Sequence, residues 1–476
     1  MKNNTNFIIL SSMKELSYNT EDPIAALATG WEESAIAVIR TSGTDAIELA
    51  AGVFSNKDGL RSAEGGTIVY GYVLDPETGA RVDEVLAAVF RAPRSYTGED
   101  SVEFFCHGGI PAVSVVLSAL KKGGFRDAAP GEFTMRAFVN GKLDLTRAEA
   151  VHEIVTAKTA KAHSLALNRL SGALELRIED LKRRVLDMLS SVELLLDYPE
   201  DELDGQAGEY PLDVQAVENL CADVQRLADS FKAGKVFRDG VPAALAGRTN
   251  SGKSSLFNLL LREDRAIVSE IHGTTRDYIE SWITVKGIPL RLFDTAGLRN
   301  SDNPIEAEGI KRSGEVIADA GIILYLVDAV CGLNEEDRTF LDRLQGEERL
   351  IRLWSKIDAI PNEGAYDEDQ VPDGFIPISS LTGEGLAELE KALAEAALGK
   401  KGLDDTVVID SMRQRDLLQR AATALDKTRS AAEEQAPLDA AAMELRDALD
   451  AMGEITGEVS SADILNNIFS NFCVGK

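Results

Sequence analysis

Eight consecutive residues restrict the fold of this chain more than any others. Gly247-Arg248-Thr249-Asn250-Ser251-Gly252-Lys253-Ser254 follows an apolar run, Ala243 to Ala246, and opens a helical run. The pattern G-x-x-x-x-G-K-[ST] between a strand and a helix builds a loop whose amides converge on phosphate oxygens at the positive end of the helix dipole. Such a loop belongs to a parallel sheet. Strand-like runs at Leu290 to Phe293, Ile322 to Val327 and Leu350 to Trp354 alternate with helical segments, so an α/β unit is expected up to about residue 398.

The residues around that loop follow the order of guanine-nucleotide chemistry. Backbone N–H groups from Asn250 through Ser255 can surround phosphates, with Ser251 and Gly252 at the turn; Lys253 can reach the terminal ones and the Ser254 hydroxyl can ligate Mg2+. Asp294-Thr295-Ala296-Gly297 places an Asp near the metal and the Gly297 amide near the terminal phosphate. Thr274 and Thr275 lie between these motifs, where a threonine hydroxyl can complete the magnesium shell. In Ser355-Lys356-Ile357-Asp358, the Asp358 carboxylate can accept two hydrogen bonds from guanine, a donor pair that adenine lacks. Ser379-Ser380-Leu381, after Ile376-Pro-Ile378, is a backing loop for the base. The usual first residue of the base-reading motif is Asn, so Ser355 is expected to give a lower affinity than Asn would; equal dissociation constants for the chain and its Ser355→Asn variant would remove that idea. Leu298 follows Asp-Thr-Ala-Gly, so the glutamine that orients water in Ras-like enzymes is absent. Asn250 reads either as a loop hydrogen-bonder or as an oxygen ligand for a monovalent cation.

The flanks differ in kind. Short apolar runs, Ile36 to Ile39, Thr67 to Leu74 and Val85 to Phe90, and a helix-like stretch from Pro111 to Gly123-Gly124 describe a compact α+β domain. From Leu145 to Leu196 apolar residues recur every three or four positions without a proline, a second helical stretch runs from Leu212 to about Lys235, and residues 411 to 470 resume the helical period. The architecture expected is therefore multidomain α/β and α+β: a loose extension over 1–20, an α+β domain over 21–141, a discontinuous helical domain from 142–238 and 399–476, and a P-loop domain inserted at 239–398. At 476 residues the chain is long enough for about three cores. Met13 is a candidate alternative start.

Acidic residues outnumber basic ones 79 to 50, a formal charge of -29 that repels phosphate backbones, so an RNA role requires a local basic patch or a partner. Cys106, Cys221, Cys331 and Cys473 form no C-x-x-C pair, which suggests cytosolic thiols. The apolar cluster Phe7 to Leu10 is too short for a signal or a membrane span, so a cytoplasmic protein is expected.

Four blocks together resemble the MnmE (TrmE) tRNA-modification GTPase family over nearly the whole chain from Asp22. They are Tyr96-Thr-Gly-Glu-Asp-Ser-Val-Glu-Phe-Phe-Cys-His-Gly-Gly109, Pro130-Gly-Glu-Phe-Thr-Met-Arg-Ala-Phe-Val-Asn-Gly-Lys-Leu-Asp-Leu-Thr-Arg-Ala-Glu-Ala150, the nucleotide motifs, and Phe472-Cys-Val-Gly-Lys476. The resemblance implies a folate-binding N-terminal domain that dimerises, a discontinuous helical domain and an inserted Ras-like GTPase domain. It implies a K+ ion in place of an arginine finger, with Asn250, Ser269, Ile271 and Thr274 at the matching positions, and a water-orienting glutamate at Glu306. By the same carry-over, a methylene- or formyl-tetrahydrofolate contacts Arg40, Glu103, Lys142 and Lys476. Residues 29–35 depart from the Gly/Arg-rich loop of the family. The resemblance implies that Cys473 carries the thiol needed for modification; read alone, it is a small buried apolar residue.

The activity so implied is GTP hydrolysis coupled to one-carbon transfer onto a wobble uridine of tRNA, giving an aminomethyl-type product. A homodimer would assemble with an FAD- and NADH-using partner resembling MnmG (GidA) into a heterotetramer that holds the tRNA. The competing reading is a ribosome-assembly or signalling GTPase like Era or Der, which would carry an RNA-binding KH-type domain. Gly399-Lys-Lys-Gly402 is its nearest loop, and it is followed by Asp404-Asp405 and helical sequence in place of a sheet.

Overall fold

The computed structural model describes residues 21–197, 210–262, 280–294, 317–360, 371–399, 407–458 and 462–475. Its contacts divide the chain into two compact units. The first holds the described residues up to Val155 with those of 169–224 and 417 onward, and the second holds Thr156–Asn168 and the described residues of 225–416.

In the first unit, β1 (Ile24–Leu27) and β2 (Ile36–Ser42) lead into α1 (Ala46–Gly52) and α2 (Lys57–Ser62). There follow β3 (Thr67–Leu74), β4 (Arg81–Phe90), β5 (Ser101–His107), α3 (Ile110–Lys122) and β6 (Arg126–Asp127). The sheet order is β3-β4-β5-β2-β1-β6, antiparallel except for the β1–β6 pair. Alternation fixes its faces: in β5, Val102, Phe104 and Cys106 point into a core with Ile47 of α1, Leu60 of α2 and Val116 and Leu120 of α3. Burial pushes the Cys106 thiol up to about 11, so it packs as an apolar group. On the other face Ile68, Tyr70 and Leu86 are exposed, whereas β1 is covered there by Phe133 and Tyr96.

Next along the chain are α4 (Glu132–Val139) and α5 (Leu145–Thr156). The expected helical run to Leu196 breaks into three, because 157–159 separates α5 from α6 (Ala160–Leu170) and Gly172, at φ 93°, precedes α7 (Ala173–Asp197). Leu174, Ile178, Leu181, Val185, Leu189 and Val192 form the buried stripe of α7. The stretch expected from Leu212 comprises α8 (Val214–Asp229) and α9 (Phe231–Asp239).

The second unit carries β7 (Val241–Gly247), α10 (Lys253–Arg262), β8 (Glu280–Val285), β9 (Ile288–Asp294), β10 (Ile322–Asp328), α11 (Glu335–Arg343), β11 (Leu350–Ser355), β12 (Phe375–Ile378) and α12 (Leu386–Leu398). Its sheet order is β12-β11-β10-β7-β9-β8, parallel throughout except for the β8–β9 hairpin. Strand β10 is covered on both faces, which is why its sequence is continuously apolar. Ile322, Leu324 and Leu326 meet Leu256 of α10 and Leu389 of α12, while Ile323, Tyr325 and Val327 meet Leu341 of α11 and Trp354.

The last stretch divides into α13 (Met412–Glu433), α14 (Leu438–Thr456) and α15 (Ala462–Ser470). Ala441, Ala448 and Ala451 are buried on α14, and α15 packs Leu465 and Phe469 against Met135 and Phe138 of α4. Gly399 of the weighed G-x-x-G loop terminates α12 at φ 82°, and its other residues lie outside the described ones. Among the described residues no helix is long and apolar enough to cross a membrane.

Candidate functional site

The phosphate loop is set by backbone conformations that its sequence permits. Gly247 has φ 132° and a Cβ there would stand 2.3 Å from Leu326 O, so only glycine allows β7 to pass β10 this closely. Asn250, at φ 63°, is left-handed, a conformation asparagine tolerates better than most residues. Gly252 at φ 98° then turns the chain into α10. Lys253 is buried, and its Nζ donates to Gly247 O at 3.0 Å and Arg248 O at 2.6 Å, so the ammonium sits in the arch of the loop. Ser251 is buried, whereas Asn250, Ser254 and Ser255 are exposed, at the start of a helix whose first N–H groups have no intrahelical acceptors.

The residues expected to read the base stand on the same edge of the sheet, beyond the carboxyl ends of β10, β11 and β12, the edge where open α/β sheets bind ligands. Ser355, short as it is, reaches the phosphate loop: its Oγ lies 2.5 Å from Ser251 O and 3.1 Å from Val327 O. With one proton it satisfies one acceptor at a time, where an asparagine amide has two. Lys356, left-handed at φ 62°, runs its stem past Gly252 and pairs Nζ with Asp328 Oδ2 at 2.7 Å. Burial pushes the Asp328 carboxyl up, but the bonds from Lys356 and the Val330 amide outweigh it and hold the group below its usual range. Asp358 is exposed, and Ser379 Oγ donates to its Oδ1 at 2.6 Å while accepting the Leu381 and Thr382 amides. Ser380 is half-buried and Leu381 is 83% exposed, its amide held by the same Ser379 hydroxyl that bonds Asp358.

The structure thus brings Asn250, Ser251, Gly252, Lys253, Ser254, Ser255, Ser355, Lys356, Asp358, Ser379, Ser380 and Leu381 to one edge of one sheet. Asp294 ends β9, beside β7, on that edge. Ser269, Ile271, Thr274, Thr275, Gly297, Leu298 and Glu306 lie outside the described residues.

A second cluster occupies the open face of the N-terminal sheet. Arg40 and Glu103 are register partners across β2 and β5, and their side chains pair at 2.7 Å. The Arg40 guanidinium lies over the rings of Tyr96 and Phe133, 5.2 and 5.8 Å from their centroids. Tyr96 is held by a 2.8 Å hydrogen bond between its hydroxyl and that of Thr134. Lys142 is exposed and donates to Pro93 O at 2.8 Å, so it is not joined to the Arg40–Glu103 pair.

The C-terminal segment reaches this cluster. Arg40 Nη1 donates to Gly475 O at 3.4 Å, and the Gly131 amide donates to Cys473 O at 3.4 Å. Both glycines are left-handed, and a Cβ would stand 2.5 Å from Phe469 O at Gly131 and 2.3 Å from Leu27 O at Gly475. Phe472 is buried against α4 and α15, and Cys473 is exposed, which departs from its reading as a small buried residue. Lys476 lies outside the described residues.

Sequence reasoning missed several residues. Arg248, at a variable position of the loop motif, binds Gly332 O and buried Asp337. Asp337 was detectable, since Asn334-Glu-Glu-Asp337 has the spacing of a capping box. Arg136 was not: it is 1% exposed, bonded to Glu132, Glu99 and the Asp22 carbonyl.

Residues 23–142 match the family model of the GTP-binding protein TrmE N-terminus, and residues 145–473 that of the MnmE helical domain. The chain is 44% identical over 473 residues to the tRNA modification GTPase MnmE of Treponema denticola, covering 96% of this chain and 99% of that one. The protein of the same description in Borreliella burgdorferi (strain B31) is 42% identical over 466 residues, with 96% and 99% covered. In Carboxydothermus hydrogenoformans the values are 40% over 463 residues, with 96% and 100% covered.

Proposed function

The chain belongs to the MnmE (TrmE) family of tRNA modification GTPases, and from that premise we propose that it hydrolyses GTP in a K+-dependent manner to drive one-carbon modification of a wobble uridine in tRNA. The observation that carries the reading is the convergence of the phosphate loop, Ser355, Lys356, Asp358 and Ser379 on one sheet edge. Lys253 is positioned to leave its two carbonyl acceptors for the phosphates, and Asp358, oriented by Ser379, accepts the two guanine donors. Water attacks the terminal phosphate and GDP and phosphate leave, with Glu306 orienting the water.

The donor set fits the ions the family uses: hydroxyl oxygens of Ser254 and Thr275 suit Mg2+, and the oxygens of Asn250, Ser269, Ile271 and Thr274 suit K+. Exposed Asn250, held left-handed in the loop, is free to turn its amide oxygen outward. A tetrahydrofolate fits the Arg40 cluster chemically, because a carboxylate and a guanidinium framed by two aromatic rings match a pterin with amide-like donors and an anionic tail. When bound, that group supplies the one-carbon unit. Glu103 and Arg40 would orient it, Lys142 and Lys476 would be the cations for its anionic tail, and the C-terminal segment docked through Gly131 and Gly475 would present Cys473.

The functional unit of this reading is a homodimer joined to an FAD- and NADH-using MnmG-like partner in the cytoplasm, and the partner holds the tRNA because this chain carries a formal charge of -29. Reconstitution with that partner, tRNA, GTP and labelled methylene-tetrahydrofolate is expected to place label in the anticodon. Unlabelled tRNA despite GTP turnover would refute the modification step, and undiminished hydrolysis in sodium would refute the cation step.

A further inference from the structure

The first variable residue of the phosphate loop, Arg248, sits in a polar network deeper than phosphate binding requires. Its Nε pairs with Asp337 Oδ2 at 3.0 Å and its Nη2 donates to Gly332 O at 2.7 Å. Asp337 is fully buried at the third position of α11 and is already engaged by two other donors: the Tyr325 hydroxyl at 2.9 Å and the Asn334 amide at 3.1 Å. Its own amide donates to Asn334 Oδ1, closing a capping box. A capping box at a helix start needs neither burial nor an arginine. Burying a carboxylate is costly unless it is paired, and here the Arg248 guanidinium supplies the pairing charge.

The same residue governs the loop through its backbone. Arg248 O accepts Lys253 Nζ at 2.6 Å and the Ser251 amide at 3.3 Å, and Asn250 turns left-handed two residues later. On the far side of the segment Asp328 to Asp337, Asp328 is paired with Lys356 of the base-reading motif. Residues 328–337 therefore hold the phosphate loop by one end and the base-reading loop by the other.

We infer that Arg248 and Asp337 are positioning residues for nucleotide phosphate: they anchor the loop to α11 and so set where Lys253 and the loop amides meet the β-phosphate. The inference rests on the guanine-nucleotide reading of this edge. It is tested with Arg248→Lys, which keeps the charge but loses the two-armed contact, and Asp337→Asn, which keeps the shape. Tyr325→Phe removes one bond to Asp337 and serves where the others fail to fold. Dissociation constants for GDP and for GMP, which has no β-phosphate, are measured on full-length chain at a temperature where circular dichroism shows each variant folded. GDP binding should weaken about tenfold while GMP binding changes less than about twofold. Equal factors for both nucleotides, or unchanged GDP binding in a folded variant, would overturn the assignment. Failure of the wild-type chain to bind GDP would instead strike at the nucleotide reading itself.

Discussion

Replacing Glu132 with glutamine tests a buried charge cluster in the first unit. The Glu132 carboxylate is 0% exposed and accepts from both arms of Arg126 at 2.7 and 2.8 Å, from Arg136 Nη2 at 2.8 Å and from the Ala129 amide at 2.9 Å. Arg136, 1% exposed, also reaches Glu99 at 3.1 Å and Asp22 O at 2.6 Å. Removing the central anion leaves a buried guanidinium with only Glu99 for charge, and breaking such a pair costs about 3–5 kcal/mol. Arg136→Met should cost less, about 3 kcal/mol, because Glu132 keeps Arg126 and the unbranched methionine fills the space. Arg126→Met, at a site 30% exposed, should cost least. Hydrogen exchange reads each unit separately: about 4 kcal/mol is roughly a thousandfold faster exchange for β2 and β5 peptides, with β7 and β10 peptides unchanged. Acceleration under about tenfold in Glu132→Gln, or an inverted order among the three variants, would refute the reasoning. The pH dependence has a definite sign. Burial works against ionisation of Glu132, but the Arg126, Ala129 and Arg136 bonds overcome it and its pKa falls below the ordinary 4.5. Its contribution is therefore complete above about pH 4.5 and is lost as the pH drops through the depressed folded value, a loss Glu132→Gln should not show.

Three further outcomes follow from the sites. Ser355→Ala removes the hydroxyl that meets Ser251 O, and at about 1 kcal/mol for such a bond GDP affinity should fall about fivefold in a fluorescent-nucleotide titration. Ser379→Ala frees the Asp358 carboxylate and leaves two amides without their acceptor, so KM for GTP should rise about tenfold or more with kcat little altered. Gly131→Ala drives a Cβ to 2.5 Å from Phe469 O at a left-handed φ, which should loosen the last residues and speed maleimide labelling of Cys473; unchanged labelling would show that the tail is held by other contacts.

Features with a local signature were legible in the sequence, and those depending on distant partners were not. The run Ile-Ile-Leu-Tyr-Leu-Val of β10 announces a strand covered on both faces, and the loop motif between Ala246 and Leu256 fixes one edge of its sheet. By contrast β1, Ile-Ala-Ala-Leu, has four residues with two alanines, and β6 has two residues, too little for any period. Helical pattern survived across Gly172 and across 157–159 because apolar spacing is indifferent to a short break. Arg136 carries a residue type expected outside, and its burial depends on Glu99, Glu132 and the Asp22 carbonyl, which no spacing rule connects. Arg40 and Glu103 were singled out by family likeness alone, and their pairing and the approach of Gly475 to Arg40, across 435 positions, had no signature in the sequence.

That separation bears on how the chain is made. A ribosome delivers residues in order, and the parts of the second unit are all complete by Asp416. The first unit must wait: its sheet emerges early, yet α15 and the residues that close over Leu27 and Gly131 follow only after the second unit is complete. Ordering of the Arg40 cluster is thereby tied to synthesis of its C-terminal partners, and a nascent chain stalled between Asp416 and Phe469 would carry every residue of the second unit and an incomplete Arg40 cluster.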